Sequence, residues 1–138
     1  MAGIYVHIPF CKSRCKYCDF FSTTHLEKQT QYTEAVLSEW NDRRKELMGG
    51  IQTIYIGGGT PSTMSVELLR RIIGAIKPDT QNAEIEVTME ANPGDITLEK
   101  ARAWREIGIN RLSIGIQSFQ DHLLQLIGRR HNAAEAIQ

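Results

Sequence analysis

Cys11, Cys15 and Cys18 are the only cysteines of this chain, and they fall within eight residues of one another. Their spacing is C-x3-C-x2-C. An odd, tightly clustered set makes a poor disulfide framework, and thiols grouped in this way point to a metal. Three thiolates can hold three irons of a cubane iron–sulfur cluster, leaving the fourth iron open to an exchangeable ligand. A structural zinc site is the alternative and needs a fourth ligand such as His7, Asp19 or His25. Zinc sites usually pair two close cysteines with a second, distant pair, and the sequence contains no second pair. Lys12, Arg14 and Lys16 interleave with the thiols, a basic setting that suits thiolates and offsets the negative charge of a thiolate-bound cluster.

Other segments carry weaker signals. Gly57-Gly58-Gly59-Thr60-Pro61 permits close backbone approach to a ligand and offers N–H groups, although a tight strand-to-helix turn needs no ligand. Glu90 can accept hydrogen bonds from a ribose diol or an ammonium group, and Gln117 is a polar residue in a comparable place. Arg129 and Arg130 can pair with a carboxylate, whereas two adjacent arginines after a helix more often form a solvated face. Tyr5, Trp40 and Trp104 read as packing residues, and His7 as a satisfied core histidine.

The elements that must position these residues repeat one pattern four times: a short apolar run, a loop marked by Gly or Pro, and a helical stretch. Strands are expected over Ile4–Ile8, Thr53–Ile56, Glu84–Met89 and Arg111–Ile116. Apolar periodicity predicts helices over Thr30–Met48, from Ser65 to Pro78, over Leu98–Ile107 and over Asp121–Ile127. Gly49-Gly50 would end the first of these helices, and Asn132 with Glu135 marks the start of another. Such alternation means parallel strands joined by right-handed crossovers, hence an α/β fold. A doubly wound sheet and a barrel both fit it. Ligands of such folds collect where the strands end at their C-termini. The cysteine loop, the glycine run, Glu90 and Gln117 each fall at such an end.

Composition excludes several classes. Sixteen Lys and Arg balance sixteen Asp and Glu, so no basic excess suggests a nucleic-acid footprint. The longest apolar runs are strand-sized, short of the ~20 residues that a membrane span needs. The first residues carry no charged n-region or apolar h-region, so the expected compartment is the cytoplasm.

Taken together the motifs resemble a known family. The segment from Tyr5-Val-His-Ile-Pro-Phe-Cys11 to Cys18-Asp-Phe20 is similar to the opening of the oxygen-independent coproporphyrinogen III oxidase-like radical S-adenosylmethionine proteins. Gly57-Gly-Gly-Thr-Pro-Ser62, Glu90-Ala-Asn-Pro-Gly94, Gly115-Ile-Gln-Ser-Phe119 and Gly128-Arg-Arg-His131 follow in the family's order. The resemblance implies about four βα units of a partial TIM-type barrel. It also implies that Cys11, Cys15 and Cys18 ligate a 4Fe–4S cluster whose fourth iron is chelated by S-adenosylmethionine. Tyr5, Tyr17, Gly58, Gly59, Thr60, Glu90, Gln117 and Arg129 match positions that contact S-adenosylmethionine in relatives. Reductive cleavage of that cofactor to a 5′-deoxyadenosyl radical would be the chemistry supplied.

One departure separates branches of the family. Its coproporphyrinogen oxidases carry a further Cys two residues after the third, where this chain has Phe20. Phe20 resembles instead the haem chaperone (HemW) branch, whose members bind haem and hand it to acceptor proteins. Because relatives are more than twice as long, residues 1–138 are expected to be the N-terminal part of a radical S-adenosylmethionine core, without the C-terminal remainder or its haem-binding segment.

Overall fold

The structure, a computed structural model, describes residues 2–47, 50–80 and 85–137. Four strands, β1 (Ala2–Ile8), β2 (Ile51–Gly58), β3 (Glu86–Ala91) and β4 (Arg111–Ile114), form one sheet in the order β1-β2-β3-β4. Every pair is parallel, with Tyr5 opposite Tyr55, Tyr55 opposite Thr88 and Thr88 opposite Arg111. The connections carry α1 (Gln29–Arg43), α2 (Val66–Ile76) and α3 (Leu98–Glu106), and β4 is followed by α4 (Asp121–Leu126) and α5 (Ala133–Ile137).

This topology decides between the two α/β forms left open by the sequence. Parallel strands added in sequential order, each through a right-handed crossover, put all helices on one face of the sheet. A doubly wound sheet needs a reversal of strand order, and none occurs among the described strands. Accordingly α1 packs on α2 and α2 on α3. The strand faces divide in the same way. Val6, Ile8, Ile54, Ile56, Val87 and Met89 are buried with Trp40, Leu69, Ile72, Ile73, Ile76 and Trp104 in one core. Tyr5, His7, Tyr55 and Glu90 alternate with the core residues of their strands and face the other way, the concave side of a partial barrel.

Local sequence explains the helices. The Ser65 side chain accepts from the Leu68 N–H at 3.3 Å, and the stripe Leu69, Ile72, Ile73, Ile76 turns inward at helical spacing. Thr97 caps α3 through the Lys100 N–H at 3.1 Å. Asn132 and Glu135 form a reciprocal capping box at 2.9 and 3.0 Å, as their spacing predicts. Trp40 packs as expected, its indole N–H donating to the Ala75 carbonyl at 3.0 Å.

Several boundaries differ from expectation. β2 begins at Ile51 and runs through Gly57 and Gly58, because those glycines continue the ladder opposite His7 and Ile8. β3 extends to Ala91, so Glu90 stands on the strand and not beyond it. β4 ends two residues early, at Ile114, and α1 gives way at Arg44 to a short 3-10 turn. Met48 and Gly49, expected at the end of the first helix, and Glu84, expected at the start of the third strand, lie outside the described residues.

Candidate functional site

After β1 the chain runs into a thiol-bearing loop closed at its base. The Cys11 N–H donates to the Thr23 carbonyl at 2.9 Å, and the Thr23 N–H donates to the Pro9 carbonyl at 2.6 Å. Within the loop the Cys18 N–H bonds the Cys15 carbonyl at 3.1 Å, and the Lys16 N–H reaches the Ile127 carbonyl beyond α4 at 3.1 Å. The guanidinium of Arg14 donates to the Ser22 carbonyl. The loop is therefore tied to its own base and to the segment after β4.

The glycine run lies directly against it. The Gly59 N–H donates to the Ile8 carbonyl at 2.7 Å and the Thr60 N–H to the Phe10 carbonyl at 2.8 Å. Gly58 has a φ of +113°, and a Cβ there would stand 2.7 Å from the His7 ring. A Cβ on Gly59 would stand 2.9 Å from the Cys11 sulfur. Both positions require the missing side chain: one for its backbone angle, the other for its approach to the thiol.

These loops enclose a cleft of about 300 Å³ at the C-terminal edge of the sheet. Cys11, Cys15, Cys18 and Tyr17 line it from the first loop, and Gly58, Gly59 and Thr60 from the second. Glu90, Gln117 and Arg129 complete the lining from β3 and from the segment after β4. Of the eleven residues that the family resemblance assigns to the cluster and to S-adenosylmethionine, ten thus line one cleft. The eleventh, Tyr5, lies outside this lining. It is more than half exposed and stacks on Tyr55, with ring centroids 6.0 Å apart and planes 25° from parallel. It is therefore not the packed residue that sequence suggests, although Tyr55, its neighbour in register, reaches the cleft through Glu90.

The Glu90 carboxylate accepts from the Tyr55 hydroxyl at 2.8 Å and from the Gly58 N–H at 3.0 Å. That hydrogen bond to Glu90, followed by burial, raises the Tyr55 phenol above its ordinary value. The Thr60 hydroxyl donates to the Cys11 sulfur at 3.5 Å. Arg129 donates to the Cys15 sulfur at 3.6 Å, to the Tyr17 hydroxyl at 3.4 Å and to the Gly115 carbonyl. Burial raises the Tyr17 phenol, and the Arg129 charge pulls against that shift. Gln117 has a φ of +68°, unusual for a residue with a side chain and of the kind that collects at functional sites.

His7 has both ring nitrogens engaged, Nδ1 with the Tyr5 hydroxyl at 3.1 Å and Nε2 with the Phe21 carbonyl at 2.9 Å. It is satisfied, as expected, but it is half-buried on the concave face and not in the core. His25 is engaged with Glu27 at 2.9 Å. Among the described residues no three His, Cys, Asp or Glu side chains gather around one point as a single-ion site requires. All three thiols line the cleft.

For Arg130 the structure selects the carboxylate-pairing alternative. It grips Asp95 with both terminal nitrogens, at 2.8 and 3.3 Å, and its side chain is one-quarter exposed. Asp95 lies in the short turn after β3 and is not among the candidate residues that the sequence points to. Burial acts to raise its carboxyl, but hydrogen bonds from Arg130, Lys12 and Ser62 outweigh it and hold the group at about 2.

The profile of the Radical SAM superfamily matches residues 5–138. The chain belongs to the radical SAM superfamily. It is 41% identical over 144 aligned residues to the haem chaperone HemW of Haemophilus influenzae, covering 97% of this chain and 37% of that protein. HemW of Bacillus subtilis is likewise 41% identical, over 99% of this chain and 37% of its own length. Among solved structures, coproporphyrinogen III oxidase (HemN) from Escherichia coli, described as a radical SAM enzyme, matches with a TM-score of 0.86 and 31% identity over 96% of this chain and 32% of that one. The chain therefore spans about a third of the length of these proteins. Its four parallel βα units correspond to part of the radical SAM barrel. Among the described residues no helix is long and apolar enough to cross a membrane.

Proposed function

We propose that the cleft holds a 4Fe–4S cluster on Cys11, Cys15 and Cys18 and binds S-adenosylmethionine at the iron that no cysteine ligates. The observation that carries this reading is the meeting, in one cleft, of all three thiols with Glu90, Gln117 and Arg129. The residues present fit the group. Arg129 beside Cys15 and Arg14 in the same loop offset the negative charge of a thiolate-bound cluster, and Gly59, lacking a Cβ, lets the second loop pack directly against Cys11. When bound, the pair supplies reductive generation of a carbon radical; the chain's own residues bind and orient it. Glu90, already an acceptor of two hydrogen bonds, presents a carboxylate suited to a ribose diol or an ammonium. Arg129 is suited to a carboxylate.

The protein carrying this chain acts, in this reading, as a haem chaperone that passes haem to acceptor proteins, with residues 1–138 as the N-terminal part of its radical SAM core. Two HemW proteins at 41% identity support it, as does Phe20 in place of a further cysteine in the cleft. The expected compartment is the cytoplasm. The competing reading, oxygen-independent oxidation of coproporphyrinogen III, is favoured by the structural likeness to HemN. Strictly anaerobic assays with the complete protein separate the two. Haem binding and transfer without porphyrinogen decarboxylation is the expected result, and turnover of coproporphyrinogen III would overturn the chaperone reading.

A further inference from the structure

The side chain of Asp95, in the short turn after β3, has no solvent exposure, yet its carboxylate takes hydrogen bonds from three other loops. Lys12 donates to Oδ1 at 2.8 Å from the thiol loop. The Ser62 hydroxyl donates to Oδ2 at 2.9 Å from the end of the glycine run, and Arg130 donates to both oxygens from the segment after α4. Two of these partners are direct chain neighbours of cleft residues: Lys12 follows Cys11, and Arg130 follows Arg129. The third lies two residues beyond Thr60, whose hydroxyl faces the Cys11 sulfur.

The turn itself does not need the carboxylate. The Asp95 N–H closes it on the Asn92 carbonyl at 3.0 Å, and the Asn92 side chain accepts from the Gly94 N–H at 3.1 Å. What the carboxylate does is join two cations from different loops across one buried group. We propose that Asp95 is a positioning residue for the thiol loop, holding Lys12 and Arg130 together so that Cys11 and Arg129 keep their places on the cleft. This rests on the reading of the cleft as a cluster site.

The Lys12–Asp95–Arg130 group carries a net charge of +1 beside the cleft. Asp95→Asn keeps the shape and raises the net charge to +2; Lys12→Met lowers it to zero. Both variants release the thiol loop, but they change the charge beside a bound cluster in opposite directions. The protein and its variants are reconstituted anaerobically with iron and sulfide. Iron per chain, the rate of iron loss to a chelator and the cluster midpoint potential are then measured. Asp95→Asn is expected to lose iron at least ten-fold faster than wild type, with its potential shifted positive. Lys12→Met is expected to lose iron faster with its potential shifted negative. The opposed potential shifts would show that both variants carry their charge change beside an assembled cluster, so that faster iron loss common to the two belongs to the released loop. Potentials displaced in the same direction would show that the group does not lie beside the cluster and would overturn the proposal. So would iron retention by Asp95→Asn at the wild-type rate. Should Asp95→Asn not fold, Lys12→Met, at a side chain 47% exposed, and Ser62→Ala carry the test. Wild-type iron retention in both overturns the proposal. Wild-type protein that takes up no iron would instead refute the cluster reading on which the proposal rests.

Discussion

Replacing Gly59 with Ala should both weaken the fold and close the cleft to its occupant. The added Cβ would stand 2.9 Å from the Cys11 sulfur, 2.9 Å from the Phe10 carbonyl oxygen and 3.1 Å from the Ile8 carbonyl oxygen. Those carbonyls cannot simply withdraw, because the Thr60 and Gly59 N–H groups hold them at 2.8 and 2.7 Å. Overpacking of this kind costs roughly 1–3 kcal/mol. With a urea dependence of ~1–3 kcal/mol per molar, a cost of about 2 kcal/mol lowers the unfolding midpoint by about 1 M. The control is Gly74→Ala, on the exposed side of α2 with nothing within 4 Å of the new methyl. It should raise stability by ~0.5–1 kcal/mol, because glycine is a poor helix former. Anaerobic urea titration of the apo-proteins measures both effects, and iron content after reconstitution measures the cleft. A Gly59→Ala variant with the wild-type midpoint and full iron content would refute the close-approach reasoning.

Asp95 makes stability pH-dependent. Its folded-state carboxyl, at about 2, lies below its ordinary value of 3.8, so its contribution is complete above that ordinary value and is lost as pH falls through about 2. The contribution is roughly 2 kcal/mol. Denaturation between pH 5 and pH 2 should show this fall in wild type and lack it in Asp95→Asn. Glu90→Gln removes the charge while keeping the shape, and should weaken S-adenosylmethionine binding roughly ten-fold with cluster content unchanged, as calorimetry on reconstituted protein would measure. Leu69→Ala, at a fully buried position of α2, should cost ~2–5 kcal/mol in urea unfolding and leave the remaining fold intact.

The strands were legible in sequence because their apolar runs are short, β-branched and bounded by Gly and Pro, and α2 because its Ile and Leu recur at helical spacing below a Ser cap. The cysteine motif and the strand-end positions were enough to point to the three thiols, the glycine run, Glu90 and Gln117, and the family resemblance added Tyr17 and Arg129; all of these line one cleft. What sequence could not supply was partnership across loops. Asp95 after Pro-Gly reads as a turn residue, and only the tertiary arrangement brings Lys12 and Arg130 to it from 83 and 35 positions away. Sequence left Arg130 between pairing with a carboxylate and a solvated face, because adjacency says nothing about which side of the chain each arginine faces. Glu90 was placed beyond its strand because the ladder of β3 against β4 continues to Ala91, a pairing that no local pattern encodes.

The most direct test is low-temperature EPR of the anaerobically reconstituted, dithionite-reduced protein, recorded with and without S-adenosylmethionine. The expected result is a reduced 4Fe–4S signal that changes when S-adenosylmethionine is added and is absent from Cys15→Ala. A protein that binds zinc and no iron, or a Cys15→Ala variant that retains the intact signal, would contradict the assignment of the three thiols.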